Sequence, residues 1–129
     1  MSDNAYKSGI KTRREVLGDA HVDRAEAAKS PFDQNFQRFI TESAWGNVWH
    51  NDKLDRPTRS LITISLLATL GHYDEMAMHI RATRNTGATA DQIAQALMHV
   101  AVYAGVPAAN RAFAIAKETL AEMNQSSSS

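Results

Sequence analysis

Three side chains that can bind a metal ion or move a proton lie close together in residues 72–87, HYDEMAMHIRATRNTG. His72, Glu75 and His79 follow the order His-x-x-Glu-x-x-x-His. Because an α-helix turns by about 100° per residue, steps of three and seven residues return to nearly the same direction. A helix here would place the three side chains on one stripe. That arrangement allows an acid–base site, a metal site or a solvated polar face.

The neighbours of this stripe favour an acid–base site over a solvated face. Met76 and Met78 indicate that part of the helix is buried, and a strongly apolar segment precedes it across one glycine, Gly71. The two helices are therefore expected to pack as a hairpin. A buried glutamate beside a histidine has a perturbed pKa, as a proton donor near neutral pH requires. We therefore predict that Glu75 is buried.

A metal site is disfavoured by the spacing of the two histidines. Zinc proteases place two histidines four residues apart with a glutamate between them. His72 and His79 are seven residues apart, which is about 10 Å along a helix axis. Two nitrogens that must each lie about 2 Å from one zinc ion are hard to supply from such positions. Either histidine could still pair with Glu75 as two ligands of a larger set, but we predict that no metal is required.

Three arginines are candidates for binding an anion near the stripe. On a helix, Arg81 lies nearly opposite His79, and Arg84 lies about 140° round from it. Neither joins the stripe by helix geometry alone, so each could reach its ligand only across the helix end or against a second chain. Arg59 precedes the stripe by one helix and is expected to pair with Asp55, four residues before it, or to await a carboxylate as a buried cation.

Two further pairs are spaced four residues apart. His99 and Tyr103 share one helix face, and we expect a buried histidine with a satisfied hydrogen bond beside a buried tyrosine. Trp45 and Trp49 are expected to belong to a core or an interface rather than to a cofactor platform. Neither pair points to a particular reaction.

The elements that must position these residues are predicted to be helices throughout. Helix start signals occur at residues 30–33, 55–57 and 89–92, and glycines at 71, 87 and 105 end helices. No segment alternates with the period of a strand. We predict an all-α domain of about five or six helices over residues 13–123, between a flexible segment at 1–12 and a disordered serine-rich tail at 124–129. The apolar helix at 61–70 is predicted to be buried and central, and we predict that a chain this small needs a partner to cover it.

Length and composition bound the function. A chain of 129 residues suits one domain with one core. Its 14 basic and 14 acidic residues cancel, which disfavours nucleic-acid binding. It has no cysteine, so disulfides and thiolate chemistry are excluded. No secretory signal and no apolar run long enough to span a bilayer is present, so we predict a cytoplasmic protein without a membrane partner.

Four segments carry a resemblance to a known family. HIRATRNTGAT and HVAVYAGVPAANRAFAIAKE are similar to the carboxymuconolactone decarboxylase family. KTRREVLGDAHVDRAEAA and FITESAWGNVWHNDKLDRPTRSLITISLLATLG resemble the branch of that family that acts on 4-carboxymuconolactone. The resemblance extends from about Gly9 to Glu122, which is nearly the whole chain.

The related alkylhydroperoxidases show what this chain lacks. Their helix begins Cys-x-x-Cys-x-x-x-His, and the resemblance places those residues on His72, Glu75 and His79. It places a glutamate of the peroxidase proton relay on Ser60. Both thiols and the relay acid are absent, so dithiol peroxidase activity is excluded here.

The resemblance implies a fold, an assembly and an activity. The fold would be an alkylhydroperoxidase-like helical bundle that forms rings of identical chains, often hexamers, with sites near subunit contacts. The activity would be decarboxylation, without metal or organic cofactor, of a small dicarboxylate lactone, 4-carboxymuconolactone, to 3-oxoadipate enol-lactone and CO2 in protocatechuate breakdown. Alternatives are a related family decarboxylase acting on another small oxo- or lactone acid, and a non-catalytic helical assembly protein.

Roles for the site residues follow from that implied reaction. Glu75 would donate the proton, and His79 would stabilise the developing oxyanion or relay the proton, although the two could exchange roles. His72 would orient a carboxylate or partner Glu75. Arg84 and Arg59 would bind the substrate carboxylates, whereas Arg81 is predicted to be structural or to lie at a subunit contact.

Overall fold

The structure is a computed structural model that describes residues 2–128, with side chains for residues 4–125. Over this part of the chain it contains helices and no strand, which confirms the all-α prediction. Seven α-helices slightly exceed the five or six that were predicted. They are α1 Ser2–Leu17, α2 Asp19–Ala28, α3 Gln34–Ile40, α4 Arg56–Leu70, α5 Tyr73–Thr86, α6 Ala90–Tyr103 and α7 Val106–Ser128, with a π-helical segment, Thr41–Trp49, continuing α3. None of the helices in the described chain is long and apolar enough to cross a membrane.

The chain forms two compact units, Met1–Asp55 and Arg56–Ser129. The sequence predicted one domain over residues 13–123, but the structure groups the helices differently. The division falls directly before α4, at the start signal recognised at residues 55–57. The stripe and its apolar neighbours therefore belong to the second unit.

In the first unit, α1 packs against the π-helical segment at very short range. A Cβ atom at Gly9 would collide with the backbone carbonyl of Thr41, and one at Gly46 would collide with the carbonyl of Ala5. Only glycine permits this approach of two helix backbones. The sequence predicted a flexible segment at residues 1–12, whereas the structure describes residues 2–17 as helix α1; Met1 lies outside the described residues.

Polar contacts also attach α1 to the rest of its unit. Thr12 is buried and its hydroxyl lies 3.1 Å from Nδ1 of His50. Arg13 is also buried, and it donates hydrogen bonds of 3.4 Å to the side-chain oxygens of Thr41 and Gln37. Desolvation by burial is the main cause that lowers the pKa of the Arg13 guanidinium. No sequence pattern predicted a buried cation at Arg13.

The aromatic residues of the first unit divide into a buried pair and an exposed row. Trp45 and Trp49 are buried with ring centroids 5.2 Å apart, which confirms that they belong to a core. Phe32, Phe36 and Phe39 recur at helical spacing but are all strongly exposed. Regular apolar spacing in this segment therefore does not show that the apolar face is covered.

The core of the second unit is formed by side chains from all four of its helices. Helix α4 packs on α5 and α6, and α7 packs on α5 and α6. The core residues are Ile64, Ala68, Met76, Ile80, Ile93, Leu97, Val100, Ala109, Ala112 and Ala116. The sequence predicted a disordered tail at 124–129, whereas the structure continues the last helix to Ser128; Ser129 lies outside the described residues.

Helix α4 is buried on only one side. Ser60, Ile64 and Ala68 face the core, whereas Ile62, Leu66 and Leu70 are 45–65% exposed. The prediction of a wholly buried central helix is therefore wrong for the single chain. Because α4 has apolar residues on every side, its sequence does not show which of its faces the other helices cover.

Candidate active site on helix α5

A tight turn between α4 and α5 presents the start of the stripe. Gly71 adopts a φ of +76°, and the N–H of His72 donates to the carbonyl of Leu67 at 2.9 Å. His72 is the residue directly before α5, and its carbonyl accepts from the N–H of Met76 at 3.0 Å. Helices α4 and α5 therefore form the expected hairpin. Gly87 ends α5 in the left-handed conformation, as predicted.

The stripe divides into an exposed end and a buried middle. His72 and Glu75 are exposed, but His79 is only 8% exposed. The prediction of a buried Glu75 is wrong for the single chain. Glu75 lies in the first turn of α5, and Leu70 at the end of α4 is also exposed.

Beyond His79 the stripe continues as buried hydroxyl groups. Thr83 and Thr86 are both buried and lie four and seven residues after His79. The Thr86 hydroxyl lies 2.7 Å from that of Ser60 on α4, which is itself fully buried. Thr83 donates to the carbonyl of Ile80. Sequence reasoning missed the Ser60–Thr86 pair, although the repeated spacing from His79 was a signal for its α5 partner.

The hydroxyl pair also locates Arg59 relative to the stripe. Ser60 faces Thr86, so Arg59, one residue earlier on α4, lies at the end of the stripe opposite His72. Seven residues of helix separate Thr86 from His79, about 10 Å along the axis. Arg59 is half-buried at this position.

Arg84 and Arg81 lie on the side of α5 that faces α7. Arg84 is exposed, and its guanidinium donates to the backbone carbonyl of Met123 at 3.3 Å. Arg81 lies 3.7 Å from a carboxylate oxygen of Glu122, and both side chains are about half exposed. Neither arginine lies on the stripe, as the helix geometry predicted.

A crevice of about 500 Å³ lies between α5 and α7. Its lining includes His72 and Glu75 but not His79. The charged groups that line it are Arg81, Arg111, Asp74, Glu75, Glu118 and Glu122. Four carboxyl groups against two guanidinium groups make this crevice unfavourable for a dianion. We therefore take the stripe, and not the crevice, as the candidate site.

Two other predictions are tested by the geometry. His99 and Tyr103 stack with ring centroids 6.0 Å apart and an interplanar angle of 13°. Both are exposed, so the prediction that they are buried is wrong; they point away from the side of α6 that carries Leu97 into the core.

As for metals, no three His, Cys, Asp or Glu side chains of the described chain are grouped so that they could hold an ion.

Comparison with known proteins identifies the family. Residues 34–118, about two thirds of the chain, match the model of the carboxymuconolactone decarboxylase family. The chain belongs to the carboxymuconolactone decarboxylase family. The matched region contains α3 to α6 and most of α7, so it includes every residue of the stripe.

Individual relatives extend the match over almost the whole chain. A 4-carboxymuconolactone decarboxylase of Acinetobacter baylyi is 44% identical over 94% of this chain and 90% of its own length. A nitrosuccinic acid decarboxylase of Metarhizium robertsii is 38% identical over 92% of this chain and 82% of its own length. A 4-carboxymuconolactone decarboxylase of Pseudomonas putida is 48% identical over 33% of this chain and 88% of its own length.

Family membership assigns the reaction class. The chain is a decarboxylase, that is, a carboxy-lyase, and the alternative of a non-catalytic assembly protein is set aside. Two of these relatives match more than nine tenths of this chain and carry different substrates in their names.

Proposed function

We propose that this carboxymuconolactone decarboxylase family member converts 4-carboxymuconolactone to 3-oxoadipate enol-lactone and CO2, as a step of protocatechuate breakdown. The observation that carries the proposal is the 44% identity to the Acinetobacter baylyi enzyme over nearly the full length of both chains. By the same resemblance, the working form would be an assembly of identical chains, such as a ring of six.

The substrate can accept its own electrons, so the reaction needs no electron-accepting cofactor. The departing carboxylate is attached to a saturated ring carbon next to a C=C double bond, and that double bond is conjugated with the lactone carbonyl. When the C–C bond to CO2 breaks, its electron pair moves through the ring, and negative charge develops on the lactone carbonyl oxygen. A proton delivered to the carbon next to that carbonyl completes the enol-lactone. The protein must hold two carboxylates, stabilise the oxyanion and supply the proton.

Its burial supports His79 as the group that acts on the reacting atoms. A proton donor or oxyanion partner is most effective where water is excluded, because the low dielectric strengthens its interaction with developing charge. Glu75 lies one turn before His79 and is exposed, so in this proposal it renews the proton on His79 or contacts the substrate at the entrance.

The two substrate carboxylates require cations or hydrogen-bond donors on either side of His79. His72 lies at the exposed end of the stripe, and Arg59 lies near its buried end. Arg84 could join them only across the end of the helix or from a neighbouring chain, since it points toward α7. We propose His72 and Arg59 as the carboxylate ligands within one chain, with Arg84 as a third candidate.

The second relative supports a different acid as the alternative substrate. The name of the Metarhizium robertsii relative gives nitrosuccinic acid as its substrate. This is also a dicarboxylic acid, and one of its carboxylates is attached to the carbon that carries the electron-accepting nitro group. In both acids one carboxylate departs, the electrons enter a neighbouring acceptor, and the other carboxylate remains. The shared site chemistry is therefore a dicarboxylate with a built-in electron acceptor.

A direct assay separates the two substrates. Purified full-length protein is incubated with 4-carboxymuconolactone or with nitrosuccinate, without added metal or cofactor, and CO2 release is measured against a protein-free control. We expect a kcat/KM at least tenfold higher for 4-carboxymuconolactone. A higher value for nitrosuccinate would move the proposal to the alternative, and no CO2 from either acid would refute both.

A further inference from the structure

Arg13 in the first unit is a buried cation with weak hydrogen bonds. The residue is only 7% exposed. A guanidinium has five N–H donors, yet here it donates two bonds of 3.4 Å, to Thr41 and Gln37, and its Nε has no hydrogen-bond partner. Both bonds are longer than the usual range of about 2.7–3.2 Å. Arg13 has therefore left water without gaining the contacts that normally compensate a buried charge.

No carboxylate among the described residues lies at ion-pair distance from Arg13. Glu26 is near enough to favour the charge on Arg13 electrostatically, but its carboxylate is bonded to Lys29 at 2.7 Å. The exposed Arg38 is bonded to Glu42, also at 2.7 Å. Each of the two more exposed cations thus has its own carboxylate, whereas the buried one has none in contact. A buried cation without a close opposite charge is destabilising.

A cavity of about 60 Å³ adjoins the two residues that Arg13 contacts. Gln37 and Thr41 both line it, together with Lys29 and Arg38, and every lining residue has a polar side chain. The Thr41 hydroxyl donates to the carbonyl of Gln37 at 2.9 Å, so it accepts from Arg13. A volume of this size holds a few water molecules, or one ion of about three or four non-hydrogen atoms.

We propose that this cavity binds a small univalent anion, a carboxylate or bicarbonate, whose charge compensates Arg13. The planar oxygen pair of such an ion matches the N–H groups of a guanidinium, and charge-assisted hydrogen bonds of this kind are strong. Glu26 in the lining disfavours an ion with two negative charges. The inference goes beyond the proposed decarboxylation, since the cavity contains no residue of the α5 stripe.

The test is a titration of the full-length protein with formate, the smallest carboxylate. Formate replaces gluconate, a carboxylate too large for the cavity, at constant ionic strength and pH, and the melting temperature is followed by circular dichroism. A ligand that binds only the folded state stabilises it by mass action. We expect a saturable rise of about 3–5 °C at ten times the half-saturating concentration.

Two neighbouring arginines provide the matched comparison. Arg14 is more exposed than Arg13 and is bonded to Asp19 and Asp23 at 3.1 and 2.9 Å. Arg14→Gln removes the same charge one residue away and should keep the full rise with formate. Arg13→Gln should lose it. An equal rise in both variants, or no saturable rise in wild type, would overturn the proposal.

A gain-of-charge variant keeps the test decisive if Arg13→Gln does not fold. Gln37→Glu has nearly the same shape and places a carboxylate oxygen where the amide oxygen now lies 3.4 Å from Arg13. We expect this variant to melt above wild type without formate and to show no further rise with it. A formate response equal to that of wild type would contradict a site beside Arg13.

The source of the anion is decided by a second titration. Bicarbonate, which forms from released CO2, replaces formate under the same conditions. A lower half-saturating concentration for formate supports a metabolite carboxylate as the natural ligand, and a lower one for bicarbonate supports the reaction product. If a carboxylate of another chain already compensated Arg13, neither ion would give a saturable rise, and the proposal would fail. The melting temperature is measured without substrate, so this result and that of the decarboxylase assay are independent.

Discussion

The two parts of the α5 stripe share a direction but differ in depth. His72 and Glu75 lie at the exposed end, whereas His79 and Thr86 are buried in the middle and at the far end. Helical periodicity places Glu75, His79 and Thr86 on one side of the helix, and His72 directly precedes its first turn. Their depth is set by neighbouring helices, since α4 covers the stripe at Thr86 through Ser60 but ends beside Glu75. Water is therefore largely excluded at His79, whereas Glu75 contacts solvent.

The sharpest test of this difference is His79→Gln. Glutamine keeps a polar side chain of similar reach but cannot donate or accept a proton near neutral pH. We expect kcat on 4-carboxymuconolactone to fall by about 10²–10⁴-fold, the range for losing a general acid or base. The melting temperature and the mass of the assembly are measured in parallel. A near-normal kcat with an intact fold would remove His79 from the mechanism.

The buried hydroxyl pair should affect stability more than catalysis. Ser60→Ala leaves the Thr86 hydroxyl buried without its 2.7 Å partner, which should cost about 1–3 kcal/mol of unfolding free energy. Thr86→Val should cost a similar amount, and the double variant less than the sum of the two. Urea unfolding measures all three. Strict additivity would mean that the two hydroxyls do not interact.

At the exposed end of the stripe, Glu75→Gln should lower activity more than stability, the opposite of the Ser60 and Thr86 variants. Because Glu75 is exposed, the substitution should change the unfolding free energy of the protein by less than about 0.5 kcal/mol. We expect kcat to fall, but by less than in His79→Gln, because solvent can partly replace an exposed acid. Steady-state assays of both variants at one pH decide the order. A larger loss for Glu75→Gln would make Glu75 the main proton donor and would require a neighbouring chain to cover it.

The sequence predicted where helices begin and end and on which side of a helix a side chain lies. It did not predict how deeply each side chain is buried. The hairpin, the left-handed Gly87 and the capping box of Thr89 and Gln92 are local features, and all are present. Burial was predicted wrongly for Glu75 and for Tyr103, since burial depends on where neighbouring helices end. The π-helical segment and the glycine contacts of α1 were missed because they arise from a close helix crossing that no local pattern reports.

The smallest effect is expected for Arg81→Gln, with Arg84→Gln as its matched control on the same helix. The long, half-exposed contact of Arg81 with Glu122 should be worth less than about 0.5 kcal/mol. The crevice that Arg81 lines has more carboxyl groups than guanidinium groups, so it should not hold the substrate dianion. We therefore expect unchanged kcat and KM for Arg81→Gln, and a raised KM for Arg84→Gln if that residue binds a carboxylate from a neighbouring chain. A raised KM for Arg81→Gln alone would place the substrate in the crevice, beside the exposed end of the stripe and away from His79.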